Sequence, residues 1–576
     1  MDQLPEVLRR LLQVRGIGDA DLEGFLNPSL RDLAKPSELP GVEAAASVIL
    51  DALVARRHIV VFGDYDCDGV CATAILVKVL REISGDDSLV SSFLPNRLTE
   101  GYGMSDASIA RMLGEDATKD AGLVVTVDNG INSVEQVAEL KKRGIDVVVT
   151  DHHLAGHELL PDGTSGEMVL PDAAVVVDPK VAAPKRLEEL CGAGVAFFLA
   201  WQLVEEARAR GLYDGPAKGP SLCVPLLVLA GLATVTDIMP LLGQNRILVA
   251  EALKRFDYAP LGLKELYLHE VRNSRGAITA KDFGCLIGPR MNAAGRMDSA
   301  TDALDLVIKK DIADVRRCVI KIVECNALRK EREREMTQAA MEQALQSPKS
   351  AAYVIDLPDG HPGVAGIVAA RVMERLGGNV PVCVIAGGHG SGRAPDGLNI
   401  RDAFVACDEV LSAYGGHAAA GGFSVKKDAD GKEMVDQFRK MLNDYCAKLT
   451  PAAVSAKGSD PVELWLEKPA DVTLQLAEDL LRLEPYGEGN PEPVFGLRGV
   501  EILGAKPLGQ DGRHLVCQVK APGAPVQDSL RAIWWNRSDL AEKLQAQGSD
   551  PHDIAFTVTI SDYGDRHPEL RFVSII

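Results

Sequence analysis

The sequence predicts an α/β protein with a long connecting helix and a small all-β unit at its C-terminal end. Three observations predict it. Strand-type apolar runs alternate with amphipathic helical stretches from residue 58 onward, residues 311–346 contain no Gly or Pro, and short β-type runs crowd the region after 461. At 576 residues the chain is too long for one core, and its 46% hydrophobic and 25% charged residues fit several globular domains.

The first unit has strand candidates at 58–62, 89–94, 123–127, 146–150 and 174–177, with helical patterns such as 70–83 and 134–143 between them. Continuous β-branched runs alternating with helices indicate a parallel sheet covered on both faces. Residues 193 to about 258 then turn helical. Their apolar run 224–235 is about half the ~20 residues that span a bilayer, so it reads as a buried helix and no membrane role is expected. In 311–346, Ile312, Val315, Val319, Ile322 and Val323 fall at helical spacing, and Ser347-Pro348 is the stop. Such a helix, highly charged in its second half, looks like a rod between two domains.

A second α/β pattern follows, with strands at 351–355 and 380–386, a helix at 363–376, a Gly-rich region at 387–422 and a helix at 431–449. An Ala-, Ser- and Pro-rich linker, 450–461, precedes β-type runs at 462–466, 494–497, 500–503, 514–519, 530–534, 554–560 and 569–573. Short strands at this spacing suggest a small barrel or sandwich, an OB-type barrel among them. The expected domains are therefore 1–310 (a catalytic unit with an N-terminal extension), 311–346, 347–450 and 451–576.

The opening residues lack a signal-peptide pattern, and the eleven cysteines form no CxxC pair, so neither a disulfide framework nor a zinc ribbon is supported. A reduced, cytoplasmic setting is the expectation. The net charge of −20 argues against a protein that coats nucleic acid nonspecifically. It leaves room for an enzyme that concentrates positive charge in one groove.

Asp64, Asp66 and Asp68 follow the first strand, Asp128 follows the third, and Asp151-His152-His153 follow the fourth. In a parallel sheet these positions share the carboxyl edge, where ligands bind. Any one cluster alone reads as turn chemistry; three on one crevice do not. Carboxylates with His and no thiolate suit Mn²⁺ or Mg²⁺. A calcium loop fits poorly because its twelfth position is Ile75, not Glu, and the helical pattern starts right after Gly69.

Nine motifs in order then carry a resemblance: GDYDCDG at 63–69, VDNGI at 127–131, TDHH at 150–153, ATVTDIMPL at 233–241, PRMNAAGRMDSA at 289–300, HPGVAGIVAAR at 361–371, GSGRAP at 390–395, GGHAAAGG at 415–422 and YGEGNPEPVF at 486–495. The chain resembles the DHH phosphoesterases, and among them the single-strand-specific 5′→3′ DNA exonucleases of recombination and repair. The resemblance implies a DHHA1-type second domain, an OB-fold third domain, and release of 5′ mononucleotides by two-metal hydrolysis. It implies two Mn²⁺ ions, with Mg²⁺ as the alternative, held by Asp64, Asp66, Asp128, His152 and Asp237 with Asp68 close by. The division of labour among the three aspartates at 64–68 stays open. His153 would be the imidazole near the scissile phosphate, and Cys67 stands where the family often has a small residue.

Ser391 and Arg393, in what reads as a Gly-rich loop, would form the 5′-phosphate pocket, with Arg97 reaching the same phosphate from the catalytic unit. From the residues alone, a Gly-rich turn with a solvated Arg is the better reading of that loop. Tyr102 either stacks on a base or packs on the surface. Arg290, Asn292 and Arg296 would line the strand path, and His417 belongs to the second-domain signature. Of the neighbouring Trp534 and Trp535, one should be core, since successive strand residues face opposite ways. The resemblance also implies a RecQ-type helicase and a single-strand-binding protein as partners. A rival reading, a small-nucleotide phosphodiesterase of the same catalytic layout, fits poorly with the long helix and β-unit. A scaffold that lost catalysis fits poorly with a complete ligand set.

Overall fold

The computed structural model describes residues 4–101, 103–159, 165–215, 224–271, 277–346, 350–428, 431–449, 461–509, 511–548, 550–561 and 565–576. The first sheet is built from β1 (Ile59–Phe62), β2 (Val90–Phe93), β3 (Leu123–Val127), β4 (Asp146–Thr150) and, after a small hairpin of β5 (Gly156–Leu159) and β6 (Ser165–Val169), β7 (Val175–Val177). Its order is β2-β1-β3-β4-β7, and every pairing is parallel. β1 and β3 are wholly buried because both faces are covered. One face packs on the helices Val42–Val54, Cys67–Ser84, Gly192–Ala209 and Val224–Thr236, the other on Asp106–Gly114 and Val134–Lys142. The apolar run at 224–235 is thus a buried helix. Among the described residues no helix is long and apolar enough to cross a membrane, and every described cysteine is a free thiol.

The helix Ile312–Gln346 runs unbroken for 35 residues. Its first half contributes Cys318, Val319 and Ile322 to the core of the first unit, and its second half gives Met336, Ala340 and Ala344 to the second. The second unit is a mixed sheet of β8 (Tyr353–Leu357), β9 (Val382–Ala386), β10 (His389–Arg393), β11 (Leu411–Gly416) and β12 (Ala420–Val425), ordered β11-β12-β10-β9-β8. Among these described strands, β8 and β9 pair in parallel and the rest antiparallel. The Gly-rich region at 387–422 therefore supplies three strands rather than a loop.

The last unit contains β13 (Leu464–Trp465), β14 (Phe495–Leu508), β15 (His514–Lys520), β16 (Leu530–Trp534), β17 (Pro551–Ser561) and β18 (His567–Ile575). β14 pairs with both β15 and β17, and so closes a five-stranded barrel. The two runs expected at 494–497 and 500–503 are one bulged strand, and a short helix, Ala541–Gln547, sits between β16 and β17. Trp534 is buried against Phe572, while Trp535 is half exposed. The expected linker, 450–461, lies outside the described residues except for Pro461.

One expectation changes. The first residues do not join the catalytic core: Leu8, Leu11, Leu12 and Phe25 pack with Leu476, Leu480, Leu483 and Leu497 of the C-terminal unit. The reason is the apolar stripe of the helix Glu6–Val14, which finds its matching face there. Arg15 secures it by a two-pronged bond to Glu463 at 2.8 and 2.9 Å.

Candidate metal centre

The turn after β1 carries the first acidic group. Asp66 Oδ1 accepts hydrogen bonds from the amides of Asp68 (2.9 Å) and Gly69 (3.1 Å), so it caps the helix Cys67–Ser84. The helix therefore begins before Gly69, not after it, and Asp68 lies in its first turn. Asp68 is pinned from outside as well: its two carboxylate oxygens accept from the amides of Gly192 and Ala193, each at 2.7 Å, at the start of another helix. Asp128, just past β3, takes the left-handed conformation (φ 62°). Gly192 lets it approach, since a Cβ there would lie 2.5 Å from Asp128 Cβ.

After β4, Asp151 organises the two histidines. Its Oδ2 accepts from the Ile131 amide (2.9 Å), and its Oδ1 accepts from the amides of His152 (2.8 Å) and His153 (3.3 Å). The same oxygen lies 2.7 Å from His153 Nδ1, which fixes that ring. Asp237 comes from the end of the helix Val224–Thr236, its amide bonded to Ala233 O at 2.9 Å.

These side chains converge. His152 Nε2 lies 3.0 Å from Asp128 Oδ1 and 3.6 Å from both Asp68 Oδ2 and Asp237 Oδ2. Ligand atoms of Asp64, Asp66 and Asp128 lie within 4.8 Å of one another, as do those of Asp68, His152 and Asp237. Burial, reinforced by Asp66, raises Asp64 well above the carboxylate range and takes Asp68 to about 6 against the pull of its two amides. Burial and neighbouring aspartates likewise push Asp128 far up and Asp237 to about 9. Burial, with the charge of His153, drops His152 to about 3, so it is neutral and ready to ligate. For His153 burial is overcome by its bond to Asp151 and that residue's charge, which lift it to about 9. Asp64 Oδ1 is buried without a hydrogen-bond partner, and His152 Nε2, despite its 3.0 Å approach to Asp128 Oδ1, makes no hydrogen bond. Repelling carboxylates with orphaned lone pairs fit a divalent cation, and oxygen donors with one imidazole suit Mn²⁺ or Mg²⁺.

The second unit comes close to this cluster. The His153 and His417 rings stack at 6.1 Å, 7° from parallel. Ser391 and Arg393 lie on β10, not in a loop, and alternation puts both on one face. Arg393 Nη1 donates to Gly392 O at 2.8 Å, and its guanidinium packs on Gly366 in the first turn of the helix Ala365–Arg375. Arg97 lies over the Tyr65 ring at 5.0 Å. Burial and then the charge of Arg97 lower Arg296 to about 10 and also lower Arg393, so three guanidiniums share one neighbourhood. Arg296 also donates to Gly363 O at 3.3 Å, across the two units.

Arg290 does not join them. It is buried, ion-paired with Glu270 and bonded to Leu286 O at 2.7 Å, because a guanidinium on that inward helix face needs local partners. Asn292 accepts from the Cys67 amide at 2.6 Å and so braces the acidic turn. Tyr102 lies outside the described residues. Sequence reasoning passed over Asp178, which follows β7 as the other acids follow their strands. Burial and then Asp151 raise it to about 7, and its Oδ2 is orphaned. The same rule, an acid just past a parallel strand, would have found it.

The match to known proteins is extensive. Residues 58–218 match the DHH family N-terminal domain, 350–448 the DHHA1 domain and 467–573 the RecJ OB domain. The single-stranded-DNA-specific exonuclease RecJ of Dickeya dadantii (strain 3937) is 34% identical over 574 residues, 96% of this chain and 94% of that protein. The protein of that name from Thermus thermophilus is 34% identical over 87% of this chain and 67% of its own. The crystal structure of RecJ in complex with Mn²⁺ from Thermus thermophilus superposes with a TM-score of 0.76 and 30% identity, covering 100% of this chain and 78% of that one. Its Mg²⁺ complex superposes at 0.71 with 29% identity, covering 99% and 77%. With three domain models matched in order and a relative aligned along nearly its whole length, this chain belongs to the RecJ family.

Proposed function

We propose that the chain hydrolyses single-stranded DNA from a 5′ end, releasing 5′ mononucleotides, in DNA recombination and repair. The observation that carries the chemistry is the double cluster: Asp64, Asp66 and Asp128 on one side, Asp68, His152 and Asp237 on the other, with Asp128 3.0 Å from His152. Those six side chains would hold a pair of Mn²⁺ ions, or Mg²⁺ in their place. When bound, the cations supply Lewis acidity, lowering the pKa of the attacking water and neutralising the phosphate oxygens. Asp151 holds His153 by Nδ1 and keeps the ring protonated, so Nε2 can give a proton to the leaving oxygen.

Polarity would come from side chains of both units. Ser391, Arg393 and Arg97 would grip a terminal 5′ phosphate, with Arg296 adding charge. The stacked His417 ring would place the DHHA1-type domain over the scissile end. The barrel, with Trp535 half exposed, would hold the strand behind it. A helicase of the RecQ type and a single-strand-binding protein would be the partners that deliver substrate.

Digestion of 5′- and 3′-labelled single strands and duplexes, with and without Mn²⁺, tests this. Labelled mononucleotide should appear at once from the 5′-labelled single strand, and a 5′-hydroxyl end or Arg393→Ala should slow it. Preferential cleavage of dinucleotides, with long strands left intact, would instead establish a small-nucleotide phosphodiesterase.

A further inference from the structure

Five of the six candidate ligands come from the sheet edge: Asp64, Asp66 and Asp68 after β1, Asp128 after β3 and His152 after β4. Asp237 does not. It opens a six-residue link, 237–242, between the helices Val224–Thr236 and Gly243–Lys254, and Ile238 beside it is left-handed (φ 57°) and 70% exposed. The Asp237 side chain is 29% exposed, against 7% for His152 and 2% for Asp68.

What meets this link comes from the C-terminal unit. The Leu241 amide donates to Glu488 O at 2.7 Å. A Cβ at Gly487 would sit 2.6 Å from Leu241 Cδ1, and one at Gly489 (φ 70°) would sit 3.2 Å from Pro240 Cβ. Gly487 and Asn490 close a tight turn through reciprocal backbone bonds of 3.0 and 3.1 Å. The Asn490 side chain is locked by Leu483 O and Pro485 O, each at 2.9 Å, and by Arg15 at 2.6 Å. At the far end of the link, buried Arg246 donates to the carbonyls of Phe25 (2.7 Å), Leu483 (3.0 Å) and Glu484 (2.8 Å), with its guanidinium 3.8 Å over the Phe25 ring.

We propose that the 486–490 turn of the C-terminal unit, seated on residues 240–242 and clamped by Arg246, is a positioning device for Asp237. The unit that carries the barrel then completes the metal centre as well as holding the strand. A link ordered in advance spares the ligand the entropy of being fixed when metal binds. The inference rests on Asp237 being a metal ligand.

The test uses the full chain with Gly489→Val, which forces a β-branched side chain into the left-handed position against Pro240, and the milder Gly487→Ala. Mn²⁺ binding is measured by calorimetry without DNA, single-strand affinity by anisotropy without metal, and folding by thermal melting. Both variants should bind Mn²⁺ more weakly, by about 10-fold or more for Gly489→Val, as for the loss of an outer support of a metal ligand. Single-strand affinity should stay within about twofold, the range of a change outside the strand contacts, and excess Mn²⁺ should restore cleavage. Asp237→Asn is run alongside. If it loses Mn²⁺ affinity while the folded glycine variants keep theirs, the positioning role is overturned and the ligand assignment stands. If Asp237→Asn itself binds Mn²⁺ normally, the ligand assignment falls first. Should Gly489→Val fail to fold, Gly487→Ala decides by the same comparison, and unchanged Mn²⁺ affinity there overturns the inference.

Discussion

Asp128 shows how much one backbone angle can carry. Its left-handed conformation turns the carboxylate toward both halves of the cluster, at the cost of local strain that the Gly192 contact accommodates. Asp128→Ala should lower turnover by at least about 10³-fold, a barrier increase of about 4 kcal/mol, while single-strand affinity persists. Retained turnover in a labelled-strand assay would remove Asp128 from the centre. Asp151 offers a subtler test. Its bond to Nδ1 keeps His153 protonated up to about pH 9. Asp151→Asn should therefore let the His153 pKa fall and cut activity more at pH 8 than at pH 6, so the alkaline limb of the pH–rate profile moves down. A parallel loss at both pH values would show that Asp151 serves only as a structural anchor.

At the scale of elements, Gly192→Ala tests the helix start that pins Asp68. The added methyl meets Asp128 Cβ and has nowhere to go, so about 1–3 kcal/mol of stability should be lost, read as a lower melting temperature. Mn²⁺ affinity should fall with it. Most of the elements were legible because their signals are local. The central strands β1 and β3 of the first sheet are buried on both faces and read as near-continuous apolar runs, and the 35-residue helix betrays itself by lacking Gly and Pro. The glycines at 390 and 392 defeated the reading of β10, since a strand with few side chains shows no alternation. β14 looked like two strands because bulges break its pattern. Asp237 follows a helix, so no sheet rule reaches it, and only resemblance singled it out. The burial of Arg290 against Glu270 depends on a partner 20 positions away and left no mark in its own motif.

For the whole molecule, the crowded centre ties stability to pH. Asp68 and Asp237 are raised to about 6 and 9, and His153 to about 9, so the metal-free folded state binds more protons than the unfolded chain in this range. Stability from these groups is fully present at low pH and is lost as pH rises through those values. Without divalent cation, the melting temperature should thus decline from pH 6 to 9. Mn²⁺ should restore it, with an affinity that strengthens as pH rises because binding displaces protons. A flat melting profile in chelator would refute the coupling.

The packing of the helix Glu6–Val14 onto the C-terminal unit has a further consequence, in the time order of synthesis. Arg15 and Glu463, which bond across that seam, are 448 positions apart. At ribosomal rates of about 5–20 residues per second, the early segment waits on the order of 20–90 s for its partner to be made. Throughout that interval Leu8, Leu11 and Leu12 have no face to cover them, and neither the Arg15 bond to Asn490 nor the Arg246 bonds to Leu483 O and Glu484 O can form. The helix Glu6–Val14, made well before the barrel, thus docks only after it, and a nascent chain must keep that hydrophobic stripe from other partners until the barrel has been translated.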